Sequence, residues 1–446
     1  MQTKQYGLTQ EFGRFLASLS YEDLPVEVVE MAKSRILDAL SVSYNGKNLP
    51  PCKVALRSIS GSKGECTILG ERMKATAADA AFVNAVIGHS TLQEDFGGGG
   101  HPGTYIVPVA LAVGEERGAS GKDMLTAVVT GYEAAARMTQ AAPPEMLERG
   151  FRAVPAIGVF GAAATAGKLI DLNGDQMAVA LDLAANMACG VYQGFCEGTM
   201  EGYFHAGFSA RNGIIVAYLA EAGAATSPLT LDGPYGFFQT FGGVQGNPEA
   251  LLGGARKGFG IMRVLRKPFP ACALNQETML LAASLRPKGI SAGEIEKLVV
   301  RRPARGLNSF AAPGVLSDPP YTNMLQAQMA AKFTVVASLL GRPVEDLRYY
   351  RDSYDDQEVA EVARRTELVA ETRQGGAVEV YLKGGRKVAI HEDVARELKP
   401  DTGMMREKFK NLASTALGSK TKEVVEAITS LDRVHNIRGL TTLLQG

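Results

Sequence analysis

The segment GVFGAAATAGKLIDL (158–172) decides how the fold is interpreted, because it consists almost entirely of small and apolar residues. Its length and composition are those of a helix rather than a strand. Alanine and glycine are so small that neighbouring backbones can approach them closely. We therefore predict a buried, close-packed helix that crosses other helices at short distance.

The same helical character extends through the chain to about residue 265. Apolar side chains recur at helical spacing in several segments, and many of these segments are rich in Ala and Gly. The further helices predicted here cover residues 25–45, 75–90, 105–116, 121–139, 176–187 and 210–224. Together they predict a large all-helical domain with few strands.

The pattern changes after Gly260. β-Branched residues before a proline predict a strand at 295–303, and two alternating runs about Gly384-Gly385 predict a hairpin over 377–390. Between them, the spacing predicts helices at 325–341 and 356–368. This part of the chain therefore reads as a smaller α+β domain.

These elements divide the chain into two domains, as its 446 residues lead one to expect. The fold class predicted is mainly α: a large all-helical domain at 1–266 and a smaller α+β lid domain at 267–404. Residues 405–446 are again helical and are expected to return to the helical domain.

The composition restricts the class of partner. Lys+Arg and Asp+Glu both number 47, so no net charge attracts nucleic acid or an anionic membrane. No run of eighteen or more apolar residues is present, so no membrane span is expected. A local cluster of cations must supply any attraction for an anionic substrate.

The cellular location is read from the N-terminus and the cysteines. The segment MQTKQYGLTQEFGRF lacks the apolar centre of a secretory signal. The five cysteines are dispersed and form no CxxC pair, which indicates reduced thiols. We expect a cytoplasmic protein, and a mitochondrial location stays open.

The segment NAVIGHSTLQEDFGGGGHPGTY (84–105) is the first candidate functional site. It contains two histidines, an acidic pair and four consecutive glycines: His89, His101, Glu94-Asp95 and Gly97–Gly100. Glycine has no side chain to exclude a ligand, so this loop suggests backbone close to a small molecule. A flexible surface turn with an ordinary histidine after it is the alternative.

Three further segments carry ionisable groups among glycines or prolines. They are CEGTMEGYFHAGFSARNG (196–213), RGFRAVPAIGVFG (149–161) and RKPFPACALNQ (266–276). The arginines at 149–161 could bind a carboxylate in bidentate fashion. The alternatives are a capped helix start with a solvated acidic turn, exposed arginines before a helix, and a rigid Pro-Phe-Pro connector.

Neither a metal site nor a nucleotide site is expected. His89, Asp95 and His101 follow one another at six-residue spacings, which match no established ligand motif. The segment GGGGHPGT lacks the Walker lysine and does not follow a strand in a βαβ unit.

Taken in their order, these segments resemble the MmgE/PrpD family over nearly the whole chain. The family includes 2-methylcitrate dehydratase, cis-aconitate decarboxylase and iminodisuccinate epimerase. The resemblance rests on SRILDALSVSYNG (34–46), AAFVNAVIGHSTLQEDFGGGGHPGT (80–104), GFRAVPAIGVFGAAATAGKLIDL (150–172), HAGFSARNG (205–213), LDGPYGFF (231–238) and KPFPACALNQ (267–276).

The resemblance implies a helical domain, a smaller α+β lid, a homodimer and an active site in the cleft between the two domains. It also implies no organic cofactor, and acid/base chemistry on a small-molecule polycarboxylate, namely a di- or tricarboxylic acid. That chemistry is physically consistent, because a proton α to a carboxylate needs a positioned base and the developing charge needs nearby donors or cations.

The resemblance also assigns residues. It implies His101 as the catalytic acid or base. We further predict that Asp95 orients His101 and that Glu201 or Tyr203 is a second proton-transfer group. The substrate-binding residues that we predict are His89, Gln93, Arg152, His205, Arg211, Lys267 and Gln276, of which His89, His205, Arg211 and Lys267 match family positions.

Three positions depart from the family pattern. Arg152 replaces a second catalytic histidine, Gly202 replaces a lysine, and Gln276 replaces a further histidine. A guanidinium binds carboxylate well but cannot shuttle protons at neutral pH. The standard dehydratase and decarboxylase reactions are therefore in question.

Three hypotheses follow. The first is a cofactor-independent lyase that acts on a small polycarboxylate. The second is an epimerase or racemase of a dicarboxylate, which needs two opposed proton-transfer groups and no leaving group. The third is a catalytically altered homologue that only binds polycarboxylates.

Overall fold

The computed structural model describes residues 7–253, 258–304, 307, 312–371 and 375–446. The chain is mainly α-helical with a smaller α+β region, as the sequence predicts. The α-helices are α1 (Leu8–Ser18), α2 (Val26–Gly46), α3 (Pro50–Ser58), α4 (Ala77–His89), α5 (Gly103–Arg117), α6 (Gly121–Ala141), α7 (Glu145–Glu148), α8 (Ala153–Leu169), α9 (Gly174–Met187), α10 (Gln193–Glu197), α11 (Glu201–Glu221), α12 (Phe237–Gly242), α13 (Pro248–Leu252), α14 (Gln276–Ser284), α15 (Ala312–Val315), α16 (Met324–Met329), α17 (Ala331–Leu339), α18 (Leu347–Asp352), α19 (Gln357–Arg364), α20 (Thr402–Leu417), α21 (Lys420–Thr429) and α22 (Arg438–Leu443).

The strands in the described part of the chain form two small sheets. Their bounds are β1 (Cys66–Thr67), β2 (Lys74–Ala75), β3 (Ile295–Pro303), β4 (Thr366–Glu371), β5 (Gly376–Leu382) and β6 (Lys387–Glu392). β1 and β2 pair within the helical region, and the larger sheet has the order β4-β3-β5-β6. β3 pairs in parallel with β4 and antiparallel with β5.

Helix α8 lies at the centre of the helical region and packs against α5, α6, α9 and α11. A Cβ atom at Gly131 on α6 would lie 2.0 Å from Thr165 Oγ1 on α8. One at Gly213 on α11 would lie 2.4 Å from the Cβ of Ala162. The helices therefore cross at the short distance that the small residues predict, since any larger residue at these crossings would collide.

The predicted strand at 295–303 and the predicted hairpin are both present. β5 and β6 pair antiparallel across Gly384 and Gly385, whose φ angles are +83° and +82°. The backbone N–H of Gly385 donates to the carbonyl oxygen of Leu382 at 3.1 Å, and that of Leu382 donates to the carbonyl oxygen of Arg386 at 2.8 Å, so the hairpin loop has three residues. Positive φ angles at two of them favour glycine there.

Two helix predictions in the α+β region need correction. The predicted helix at 356–368 ends at Arg364, because Thr366 begins β4 and pairs with Leu298 of β3. The predicted helix at 325–341 is two helices, since Ala330 between them has an extended backbone with ψ 116°. Long-range pairing with β3 therefore makes residues 366–368 part of a strand and not the end of the predicted helix.

The buried apolar residues form two main cores. One joins residues 8–264 to the C-terminal helices, where Phe409 and Ala413 of α20 are fully buried against α2. The other lies between the larger sheet and its helices. These cores support the domain boundaries at 266/267 and 404/405, which we keep as a proposal. None of the helices described here is both long and apolar enough to span a membrane.

Candidate active site

A cavity of about 500 Å³ lies between the helical region and the α+β region. Segments from both regions form its wall, including the glycine loop and the start of α8 on one side and the end of β3 on the other. Three of the residues singled out from the sequence line it: His101, Arg152 and Lys267. Its size is ordinary for a small-molecule site.

The four-glycine loop is shaped by its backbone. Gly97, Gly99 and Gly100 have φ angles of +125°, +96° and +90°, which residues with a side chain rarely adopt. Phe96, directly before the glycines, exchanges two backbone hydrogen bonds of 2.9 Å with Leu265. This pairing brings the loop beside Lys267, which is far away in sequence.

His101 is held in one tautomer. Its Nδ1 lies 2.8 Å from the carbonyl oxygen of Asp95 and 3.3 Å from Oε1 of Glu94. Both neighbours only accept hydrogen bonds, so Nδ1 carries the proton and Nε2 of the neutral ring is unprotonated. Burial, and then the charge of Lys267, hold the pKa of His101 well below its usual 6.5. The ring is therefore neutral at neutral pH and can act as a base.

Glu94 is the carboxylate at the centre of the site. Its Oε1 lies 3.0 Å from Nδ1 of His89 and 3.3 Å from Nζ of Lys267, in addition to its contact with His101. Burial alone would raise the pKa of Glu94, but Lys267 and the two histidines lower it well below its usual value. Glu94 is thus ionised and holds three basic groups together.

Arg152 joins the site from the N-terminal end of α8. Its Nη2 donates to Nε2 of His89 at 2.8 Å, and its Nη1 donates to the carbonyl oxygen of Gly202 at 3.2 Å and to Nδ1 of His205 at 3.4 Å. The guanidinium also lies 3.9 Å from the ring centre of Phe195, a cation–π contact. Burial lowers the pKa of Arg152 to about 10, so it remains a cation at neutral pH.

His89 and His205 are both buried and neutral. Burial and then Arg152 lower the pKa of His89 to about 4 and that of His205 to about 3. Because Nε2 of His89 accepts from Arg152, its Nδ1 carries the proton that is donated to Glu94. The two rings therefore orient charged groups and do not form part of the cavity wall.

Phe195 explains the glycine at position 202. A Cβ atom at Gly202 would lie 2.3 Å from Cε2 of Phe195, so no lysine side chain fits there. The ring instead packs against the guanidinium of Arg152. Arg152 and Gly202 therefore fit one arrangement, in which the ring of Phe195 occupies the space beside both. Nothing in the local sequence pattern distinguishes Phe195 from a core residue, so its role could not be predicted.

Asp95 orients His101 through its backbone. Its carboxylate accepts from the hydroxyl of Tyr132 at 2.6 Å and from the backbone N–H of Gly103, at the start of α5, at 2.9 Å. Only its carbonyl oxygen contacts the imidazole. Burial raises the pKa of Asp95 to about 6. The side chain therefore fixes the glycine loop to two helices, and Glu94 is the acid that contacts the histidines.

Two of the site residues predicted from the sequence lie on the protein surface, outside the cavity. Glu201 and Arg211 are both exposed on α11, and Arg211 forms an ion pair of 3.2 Å with Asp79. Arg211 follows His205 by six residues, which places its side chain about 120° away from that of His205 around the helix. The structure thus corrects the expectation that these groups converge with His205.

Three other residues are buried near the site without lining the cavity. The side-chain amide of Gln276 contacts the backbone of Phe269 and Ala271 at 3.1 Å and so holds the turn after Lys267. Gln93 donates to the carbonyl oxygen of Pro268 at 2.9 Å. The hydroxyl of Tyr203 has no hydrogen-bond partner within the described part of the chain, and burial raises its pKa.

Comparison with known proteins places this site in context. Residues 10–249 match the MmgE/PrpD N-terminal domain, more than half of the chain. The chain is similar to cis-aconitate decarboxylase of Aspergillus terreus, with 23% identity over 98% of this chain and 96% of that protein. It is 24% identical to cis-aconitate decarboxylase of Homo sapiens, over 98% of this chain and 95% of the relative. The cis-aconitate decarboxylase-like protein oryM of Aspergillus oryzae is 25% identical over 100% and 98% of the two chains.

Proposed function

The chain belongs to the MmgE/PrpD family, and from that premise we propose that it is a lyase that acts on a small di- or tricarboxylic acid. The observation that carries the proposal is His101. Its ring lines the cavity with Nδ1 bound to acceptors, so that Nε2 is free to take a proton. The relatives that are named cis-aconitate decarboxylases support a reaction of the dehydratase or decarboxylase type.

The cations of the cavity wall complete the proposed mechanism. Arg152 binds a carboxylate, and the N-terminus of α8, at Ala153 and Val154, adds the positive end of a helix dipole. Nε2 of His101 then removes the proton α to a carboxylate. These cations stabilise the negative charge that develops on the carboxylate.

Lys267 is our candidate for the second proton-transfer group, in place of Glu201 or Tyr203, because it lines the cavity and they do not. In an elimination of water, the C–H electron pair forms the new double bond and hydroxide leaves the β-carbon. The ammonium group of Lys267 donates the proton that converts the hydroxide into water. Burial lowers the pKa of Lys267, which makes that donation easier.

An epimerase is the second candidate, because His101 and Lys267 line the same cavity as two separate proton-transfer groups. One would remove a proton and the other would return one on the opposite face. Such a reaction exchanges a substrate proton with solvent and releases neither water nor CO₂.

Proton NMR in D₂O with a panel of di- and tricarboxylic acids tests these proposals. A lyase forms a new product, an epimerase incorporates deuterium without net loss of a group, and a polycarboxylate-binding homologue does neither. We expect H101N to lower kcat/KM by roughly 10²–10⁴-fold, the usual contribution of general acid–base catalysis.

The matched control for H101N is H435N, at an exposed histidine remote from the cavity, which should keep the wild-type rate. If H101N retains a rate within about threefold of wild type, general acid–base catalysis by His101 is excluded.

A further inference from the structure

Arg302 is a second buried guanidinium in the cavity wall, opposite the helical region. It lies near the end of β3, it is 1% exposed, and it lines the cavity with the adjacent Pro303. The family resemblance assigned it no role, and its segment carries no motif that would single it out. Its position is therefore a product of the tertiary structure.

The charge of Arg302 has no close counter-charge. Its Nη1 donates to the side-chain oxygen of Asn275 at 3.1 Å and its Nη2 donates to the carbonyl oxygen of Leu274, both of which are neutral. Its Nε has no partner, and no carboxylate lies within 4 Å of the guanidinium, in the parts of the chain that the structure describes. A buried charge without a partner is energetically unfavourable, and an anionic ligand would relieve that cost.

The neighbouring arginine shows the contrast. Arg301 points to the other face of β3, where Nε donates to Glu379 at 3.0 Å, and its side chain is 36% exposed. Alternation along a strand therefore places one arginine in an ordinary ion pair and the next in the cavity. The two residues form a matched pair for mutation.

Arg152, on the opposite side of the cavity, is also a buried guanidinium without a nearby carboxylate among the described residues. It contacts two neutral histidines, a carbonyl oxygen and an aromatic ring, and among described residues no carboxylate lies within 4 Å of it. Lys267, in contrast, is paired with Glu94. Each side of the cavity thus presents one buried guanidinium that an anionic ligand could neutralise.

We propose that Arg302 binds a second carboxylate of the substrate, while Arg152 binds the first. The proposal rests on the proposed function and narrows its substrate class to acids whose two carboxylates are far enough apart to reach both sides of the cavity. A monocarboxylate can satisfy only one of the two arginines. Arg302 is therefore a specificity-determining residue.

Binding of saturated acids, measured by isothermal titration calorimetry, tests this proposal without requiring turnover. The ligands are propane-1,2,3-tricarboxylate, glutarate and butyrate. We expect wild type to prefer the two polycarboxylates. R302Q should weaken the binding of either polycarboxylate about ten- to hundredfold, the contribution of a hydrogen bond to a charged group, and should leave butyrate within about threefold. R301Q is the control and should bind all three as wild type does.

A second variant keeps the test valid if R302Q fails to fold, since Arg302 also holds the turn at Leu274 and Asn275. Glu277 lines the cavity on the same side, and its charge acts on Arg302 from more than contact distance. E277Q removes the one carboxylate among the described wall residues, so it should strengthen the binding of the polycarboxylates but not that of butyrate.

The inference is overturned if R302Q binds polycarboxylates as tightly as wild type, if it weakens butyrate equally, or if E277Q leaves the preference unchanged. Failure of this inference and failure of the proposed function would give different experimental results. A protein that binds polycarboxylates through Arg302 but converts none refutes the lyase alone, whereas normal turnover and binding by R302Q refute the second carboxylate site alone.

Discussion

At the scale of single residues, Glu94 and Asp95 show how adjacent carboxylates take different partners. The carboxylate of Asp95 binds Tyr132 and the start of α5, while that of Glu94 binds two histidines and Lys267. Glu94 contacts the base His101 and does not line the cavity, so we regard it as a positioning residue.

We expect E94Q to lower kcat/KM about ten- to hundredfold, because a hydrogen bond to a charged group contributes about 1.5–3 kcal/mol. Burial and Lys267 hold the pKa of His101 low, and Glu94 opposes them. Its removal should therefore shift the acidic limb of the pH–rate profile to lower pH, which simple loss of folded protein would not do.

The exposed Glu201 supplies the comparison for E94Q. E201Q should keep kcat/KM within about twofold of wild type, since surface substitutions usually change free energies by less than about 0.5 kcal/mol. A large loss of activity in E201Q, with E94Q active, would restore Glu201 as the proton-transfer group and contradict the assignment.

At the scale of secondary-structure elements, the C-terminal helix α20 supports the active-site loops. The Nζ of Lys408 is 2.5 Å from Oδ1 of Asp38 on α2, and it donates to the carbonyl oxygens of Gln93 at 2.7 Å and Lys267 at 3.3 Å. The side chain is only 10% exposed. One ammonium group thus joins two helices to the two loops that carry Glu94 and Lys267.

K408M should lower the free energy of unfolding by roughly 3–5 kcal/mol, because it leaves the buried carboxylate of Asp38 unpaired. Urea denaturation measures the change. D38N in the same protein should restore part of the loss, since it removes the unpaired charge. K410M on the same helix is the control, because Lys410 forms an exposed ion pair worth about 0–1 kcal/mol. Equal effects of K408M and K410M would refute the supporting role of Lys408.

At the scale of the whole molecule, burial of neutral histidines between helices makes stability depend on pH. Burial and then Arg152 lower the pKa of His205 to about 3, whereas an unfolded histidine titrates near 6.5. Between these values the unfolded chain binds the proton and the folded protein does not. Protons therefore favour unfolding as the pH falls below about 6.5. The homodimer expected from the family resemblance stays a prediction at this scale.

H205Q should remove the contribution of residue 205 to the pH dependence of the free energy of unfolding. Below about pH 6, the free energy of unfolding of wild type should fall by about 1.4 kcal/mol per pH unit more than that of H205Q. Burial raises the pKa of Asp95 and of Asp182 to about 6, which opposes the fall, but both groups are present in both proteins and cancel in the difference. Urea denaturation between pH 7 and pH 5 measures both slopes, and parallel slopes would show that His205 is protonated in the folded protein.

The sequence by itself determined the elements and part of the site. Helical spacing, small residues and the two glycines of the hairpin depend on neighbours a few positions away, so the helices and β3 were predictable from local patterns. The order of the motifs identified His101, Arg152 and Lys267, which the structure brings to one cavity.

Only the tertiary structure decided which charged groups face that cavity. Glu94 contacts Lys267 across 173 positions of sequence, and Arg302 reaches the cavity because β3 pairs with distant strands. These long-range contacts decide which of Glu94 and Asp95 binds the histidines, and which of Arg301 and Arg302 lines the cavity. A local pattern gives a residue its element, but the direction of its side chain relative to a cavity is fixed by how the elements pack.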